Sequence, residues 1–385
     1  MDSAEIVPAR RKILIACRKL VPDSSPEAPV FCGGEQRIAS EIAVHLGQHQ
    51  WQVYFASDDP SSVQNVRYLD AHGVTHIRVP FHSRTRLVSS VLHLVRCITA
   101  HGIDLVHCHD RRTVVAGAIA CKLAGIPLVY TAHSVFYDKL LTRLFLGRHV
   151  VAISETVQRN LEQEFQRPPG SVRLIYNGVD VHRSSAEERG RLRQALGLRR
   201  EDRVISVIDR LVAQKGHQLL LEAMPRIIPT FPDLRVLLVG DGPLRRELED
   251  LTHRLGLDAH VVFCGTRANA TQFMELSEFT VAPSVREGFH LAVVESLSLG
   301  VPVVASAIAC HQEILAHGDL GLLVPADQPA ALAEAILFML HHREQVHRMG
   351  RRCSQAAQRD FGLPQMLTRY EQYYEELLHP TAPAG

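Results

Sequence analysis

Residues 284–306 read SVREGFHLAVVESLSLGVPVVAS and carry two carboxylates, Glu287 and Glu295, with seven residues between them. The pattern is a Gly-containing loop running into an amphipathic helix that feeds a buried strand at 302–305. Glu287 therefore sits ahead of the helix and Glu295 on its face. A helix start offers unpaired backbone N–H groups and the positive end of the helix dipole. Beside two hydrogen-bond acceptors, that combination suits a ligand carrying both phosphate and hydroxyls, as a nucleotide sugar does. Two glutamates could also serve glycoside hydrolysis. Both lie on one local element, which favours ligand binding over an acid/base pair, and a helix-start carboxylate with a solvated partner is the plainer alternative.

Further candidates lie at the ends of strand-like runs. Arg210 and Lys215, in VIDRLVAQKG, fall in a turn between a strand at 204–208 and a helix starting near His217. There an arginine could grip two phosphate oxygens and a lysine supply a point charge, although the spacing alone equally admits solvated loop cations. Gly240, Gly242 and Pro243 follow a buried strand and open a helix, a turn that lets the backbone approach a ligand. In the first half, His133 follows a strand at 128–131, the end of a parallel strand where open α/β sheets bind ligands. His107 and His109 also end a strand; the HxH spacing could suggest metal, but no third ligand cluster accompanies it and no metal is expected. Gly33-Gly34-Glu35 opens the first helix after a long, Pro-rich loop at 21–32, either as a simple helix start or as backbone facing a ligand.

The elements that must position these residues alternate between short β-branched runs and longer amphipathic stretches, the pattern of βα units winding a mostly parallel sheet. Strands are expected at 13–17, 53–57, 76–79, 105–108, 128–131, 150–153 and 172–176, then at 204–208, 236–239, 261–264, 280–282, 303–305 and 322–324. The economical arrangement is α/β, with one Rossmann-like domain over 1–180 and a second over 203–362. The polar, strand-free stretch 181–202 is read as a linker. A final amphipathic segment, 363–378, either caps the second domain or crosses back to the first, and the tail 379–385 is expected to be disordered.

Composition agrees with two domains. The chain has 385 residues, beyond the size at which one core usually stops growing, and its net charge of +1 offers no basis for a nucleic-acid partner. Eight cysteines lie scattered without a CxxC pair and read as reduced thiols. The apolar run after Lys12 is too short for a signal peptide, and no later run reaches membrane-spanning length, so a cytoplasmic location is expected. The acid-free stretch 71–103, with Leu87, Val91, Leu94 and Val95 at helical spacing and arginines nearby, could lie on an anionic membrane surface. A crossover helix packed on the sheet is the preferred reading.

Four segments, VIDRLVAQKG, LLVGDGPLRRELE, EGFHLAVVESLSLGVPVVAS and IYNGVD, together resemble the family 4 glycosyltransferases, and the match covers nearly the whole chain. The resemblance implies GT-B architecture, two tandem Rossmann-like domains with a cleft between them, and retaining transfer of a sugar from a UDP- or GDP-linked donor to a glycan, lipid-linked or small-molecule hydroxyl. Arg210 and Lys215 would hold the diphosphate, Glu287 the transferred sugar and Glu295 the ribose, with Gly288, Phe289, His290 and Leu291 lining sugar or phosphate. Gly240, Gly242 and Arg267 would flank the nucleotide, His133 would line the catalytic cleft, Gly34 would face the donor, and Gly33 and Glu35 the acceptor. No metal or other cofactor is implied, and association with the inner face of a membrane is compatible with such acceptors. Two positions depart from the family pattern: Asp209 and His290 stand where glycine is usual. A phosphorylase, an epimerase or an inactive sugar-nucleotide-binding subunit are the alternatives.

Overall fold

A computed structural model describes residues 10–18, 34–58, 63–81, 87–136, 146–168 and 170–379. Its first sheet contains β1 (Arg11–Ala16), β2 (Trp51–Ser57), β3 (Val74–Arg78), β4 (Leu105–Cys108), β5 (Leu128–Ala132), β6 (His149–Ala152) and β7 (Val172–Leu174). All neighbours pair in parallel, in the order β3-β2-β1-β4-β5-β6-β7. The second sheet contains β8 (Arg203–Ile208), β9 (Leu234–Val239), β10 (Val261–Gly265), β11 (Phe279–Ala282), β12 (Val303–Ser306) and β13 (Gly321–Val324). It is also parallel, in the order β10-β9-β8-β11-β12-β13. Each strand expected from the apolar runs is present, shifted at its ends by two residues at most.

Parallel strands covered by helices on both faces must be apolar on both sides. Ile13, Leu14 and Ile15 in β1, and Val236, Leu237 and Leu238 in β9, are accordingly fully buried in consecutive positions. In each sheet the chain reverses direction of growth once, between β1 and β4 and between β8 and β11. Loops on the two sides of such a switch diverge and leave room at the carboxyl ends of the strands. The compact units are Met1–Tyr176 with Pro364–Gly385, and Asn177–Leu363.

The polar stretch read as a linker contains a helix, Ala186–Ala195, started by a capping box in which Ser185 and Glu188 satisfy each other's backbone amides. Leu192, Leu196 and Leu198 cover Val204, Leu237 and Phe273, and Ser184 N, donating to Glu275 at 2.8 Å, helps fasten this otherwise charged segment to the second unit. The last helix, Leu363–Leu378, counts from Pro364 onward with the first unit. Tyr370 and Tyr374 are fully buried there, and the Tyr374 hydroxyl lies 2.7 Å from His107 Nδ1. Residues 71–103 include the helix Leu87–His101, which buries Ser90, Val91, Leu94 and Ile98 and packs against the helix Arg111–Ala124. Among the described residues no helix is long and apolar enough to cross a membrane. The loop 21–32, Gly33 and the tail beyond His379 lie outside the described residues.

Candidate functional site

In the second unit the loops after β8, β9 and β11 interlock. Gly240, at φ 137°, and Gly242 pass so close to the backbone of Asp209 and Leu211 that a Cβ on either would come within 2.0 and 2.4 Å of a carbonyl oxygen. Gly216, at φ 68°, similarly leaves only 2.0 Å between a hypothetical Cβ and the Pro283 carbonyl. These glycines are explained by loop-on-loop packing. Gln214 adds a clasp: its carbonyl accepts from Val285 N at 2.9 Å and its side-chain amide donates to the Arg286 carbonyl at 2.6 Å.

The clasp delivers four charged or titratable groups to one place. Lys215 Nζ lies 2.5 Å from Asp209 Oδ1, 2.8 Å from Glu287 Oε1 and 3.5 Å from His290 Nε2. Burial works to lower the Lys215 ammonium, but Asp209 and Glu287 outweigh it and hold the group above its ordinary range. Burial likewise favours a neutral Asp209, yet His290 and Lys215 prevail and hold its carboxyl well below the usual carboxylate range. The two family departures are thus one contact, because His290 Nε2 sits 2.9 Å from Asp209 Oδ2.

The hydrogen bonds fix the charge of this group. The Ser306 carbonyl, 2.8 Å from His311 Nδ1, only accepts, so His311 carries a proton there. The Asp209 carboxylate only accepts, so His290 carries one on Nε2. A third proton must lie between His290 Nδ1 and His311 Nε2, which are 2.9 Å apart. Three N–H groups on two imidazoles make one positive charge. Burial and the neighbouring His290 push His311 down to about 3. Lys215 and the His290–His311 pair therefore balance Asp209 and Glu287.

In the first unit, Glu35 and His133 line one cavity of about 250 Å³ together with Arg18, His109, Asp110 and Arg111. These residues come from the helix Gly34–Gln48 and from the carboxyl ends of β1, β4 and β5, on both sides of the strand-order switch. His109 Nδ1 lies 2.9 Å from His133 Nε2, and burial pushes His133 down to about 3. Desolvation, then His107 and His133, lower His109 as well. His107 is spent on Thr131 Oγ1 at 2.8 Å and on Tyr374. Glu35 behaves oppositely to Asp209: burial and nearby Asp110 push its carboxyl up to about 7 against the pull of Arg18.

Of the residues singled out from sequence, the structure thus joins Lys215, Glu287 and His290 in one cluster and Glu35 with His133 in one cavity. Arg210 is exposed beside the cluster, where its carbonyl accepts from Val212 N at 2.8 Å. Exposed Arg267 donates through Nε to the Cys264 carbonyl at 2.8 Å. Glu295 is buried within the helix Leu291–Ser298, whose first residue is Leu291. Gly288 precedes that helix, and the Phe289 ring packs edge-on against Phe361 at 5.8 Å. Gly34 begins its helix at an exposed position, and Gly33 lies outside the described residues. Sequence reasoning left out His311, Gly216, Arg18 and Asp110. Asp110 could have been found as the N-cap of the helix Arg111–Ala124, where it forms a capping box with Thr113, whereas His311 is recognisable only from the ring it faces.

Residues 188–356 match the model for glycosyl transferases group 1, and residues 32–183 the model for glycosyltransferase family 4. An uncharacterised glycosyltransferase of Methanocaldococcus jannaschii is 27% identical over 77% of this chain and 84% of its own. The Escherichia coli UDP-Gal:alpha-D-GlcNAc-diphosphoundecaprenol alpha-1,3-galactosyltransferase is 24% identical over 95% of this chain and 98% of its own. Among solved structures, Anabaena HepE in complex with UDP and glucose superposes with a TM-score of 0.82 at 25% identity, covering 95% of this chain and all of that one.

Proposed function

The chain belongs to the family 4 glycosyltransferases of GT-B fold, and we propose that it transfers a sugar from a nucleotide-diphosphate donor to a hydroxyl acceptor with retention of anomeric configuration. The observation that carries this reading is Lys215, an ammonium kept charged in a buried setting by Asp209 and Glu287 at the carboxyl end of β8. Arriving phosphate oxygens would take over part of its pairing. As the bond between anomeric carbon and phosphate oxygen breaks, negative charge grows on the leaving diphosphate; Lys215 stabilises it where few waters compete, and exposed Arg210 adds a second cation. Glu287, released in part from Lys215, accepts hydrogen bonds from sugar hydroxyls; Glu295 does the same for the ribose. The acceptor oxygen bonds to the anomeric carbon on the face the phosphate leaves, and its proton passes to the departing phosphate oxygen, so the balance needs no side-chain nucleophile. These side chains, rather than a metal ion, carry the compensating charge.

The first-unit cavity is the acceptor site in this reading. Glu35 there titrates near neutrality and can accept a hydrogen bond from an acceptor hydroxyl in one state and donate one in the other. UDP is the first nucleotide to test, because HepE was solved with UDP and glucose and the E. coli relative is named for UDP-Gal. A lipid-linked acceptor met at an anionic membrane surface is supported by Val88, Leu92 and Leu123, which are 72%, 51% and 70% exposed on the adjoining helices Leu87–His101 and Arg111–Ala124.

Thermal-shift screening against UDP-, GDP- and ADP-sugars tests the donor side, since a donor that binds the folded state raises the melting temperature. NMR of the product's anomeric configuration tests retention. Wild-type turnover in both Lys215→Ala and Glu287→Gln would end this reading. A sugar-nucleotide-binding subunit without transfer is the second reading, favoured by the extra carboxylate of Asp209 so near the diphosphate position. Tight donor binding with no transfer to any acceptor extract would establish it.

A further inference from the structure

Away from both clusters, the first unit brings two histidines one helical turn apart to a glutamate distant in sequence. His45 stands in the last turn of the helix Gly34–Gln48, His49 just beyond its end, and Glu371 on the helix Leu363–Leu378. Glu371 Oε2 lies 3.4 Å from His45 Nε2 and 3.6 Å from His49 Nδ1. Those separations are long for hydrogen bonds. They are close to the edge of a tetrahedron drawn around a zinc ion with ligands at about 2.0–2.2 Å, which is about 3.4 Å. Two further observations point to a ligand. The His45 Nε2 atom is buried and has no group nearer than the Glu371 carboxylate to satisfy it. Glu371 is held from behind, because Trp51 Nε1 donates to its other oxygen at 3.3 Å, the outer-shell support that orients coordinating carboxylates. The neighbouring cation, Arg11, is paired with Glu375.

We propose that His45, His49 and Glu371 bind a zinc ion, which ties the end of the first helix to the C-terminal helix within the same unit. Two imidazole nitrogens and one carboxylate oxygen suit Zn²⁺, whereas Mg²⁺ and Ca²⁺ prefer all-oxygen shells. The fourth position is left to water. The ion is separate from the proposed transfer chemistry, so the test does not depend on knowing the donor.

Metal-free protein is titrated with Zn²⁺ in competition with a chromophoric chelator, and its melting temperature is followed with and without Zn²⁺. One Zn²⁺ per chain is withheld from the chelator, the melting temperature rises with Zn²⁺ and does not respond to Mg²⁺. His49→Ala, which removes a half-exposed side chain and leaves the fold intact, and Glu371→Gln each weaken binding at least about tenfold. His253→Ala, at an exposed His–Asp pair elsewhere, leaves it unchanged. Failure to withhold zinc, or unaltered affinity in His49→Ala and Glu371→Gln, overturns the site.

Discussion

Each unit buries a pair of stacked histidines, and the two pairs are near copies in geometry. His109 and His133 have ring centroids 5.2 Å apart at 29° and nitrogens 2.9 Å apart; His290 and His311 have centroids 5.2 Å apart at 22° and nitrogens 2.9 Å apart. Only the ends of the pairs differ. His290 meets Asp209 at 2.9 Å, so its pair must hold three protons, whereas no carboxylate bonds to either ring of the first pair among the described contacts, and two protons suffice. The carboxyls diverge in step. Asp209 faces two cations and is held down, while Glu35, facing Asp110 as well as Arg18, is pushed up to about 7. Burial is common to both regions, so the partner charge decides which group ionises. A neutral pair can line an acceptor cavity; a charged one adds a cation to the proposed diphosphate site.

Lys215→Ala is the most severe way to break the contrast. It leaves Asp209 and Glu287 with only the charge of the His290–His311 pair to offset them, and turnover is expected to fall by at least about 100-fold, read as kcat/KM with a donor found by thermal shift. Asp209→Asn comes next. It strands the charge shared by His290 and His311 and should cost about 3 kcal/mol in urea unfolding. Asp209→Gly combined with His290→Gly, the residues usual in the family, should recover most of that loss. Simple additivity in this double-mutant cycle would refute the pairing.

A pH series sharpens the neutral side. His133 titrates at about 3 in the folded chain against an ordinary 6.5, so the unfolded chain binds more protons between those values, and stability falls as pH drops through that window. His133→Gln should blunt the fall, measured by urea midpoints at successive pH values. Glu35→Gln is expected to have the smallest effect, about a tenfold loss of turnover, the worth of one hydrogen bond to a charged group, together with loss of the inflection near pH 7 from the rate profile.

The alternation of short β-branched runs with amphipathic stretches is sufficient to locate the strands, because a parallel strand buried on both faces must be apolar throughout, as Ile13, Leu14 and Ile15 are. The segments around Lys215 and Glu287 are legible for a similar reason: a strand, a glycine turn and a helix start form a local unit. Less legible is the helix that Ser185 and Glu188 begin inside the polar stretch 181–202. Its capping box is visible in sequence, but the three leucines that fasten it are too sparse to announce a core face.

What the sequence determined by itself was the α/β plan, the order of elements and the family, all of which rest on patterns a few residues long. Tertiary structure alone decided the charges. In sequence Asp209 and His290 are two unrelated departures; strand order places β8 and β11 side by side and makes each the other's partner. His311 enters as the acceptor of a shared proton, and Glu371 meets His45 and His49 across more than three hundred residues of chain. Protonation depends on distances of a few ångströms between groups remote in sequence, and those distances exist only once the sheets have formed.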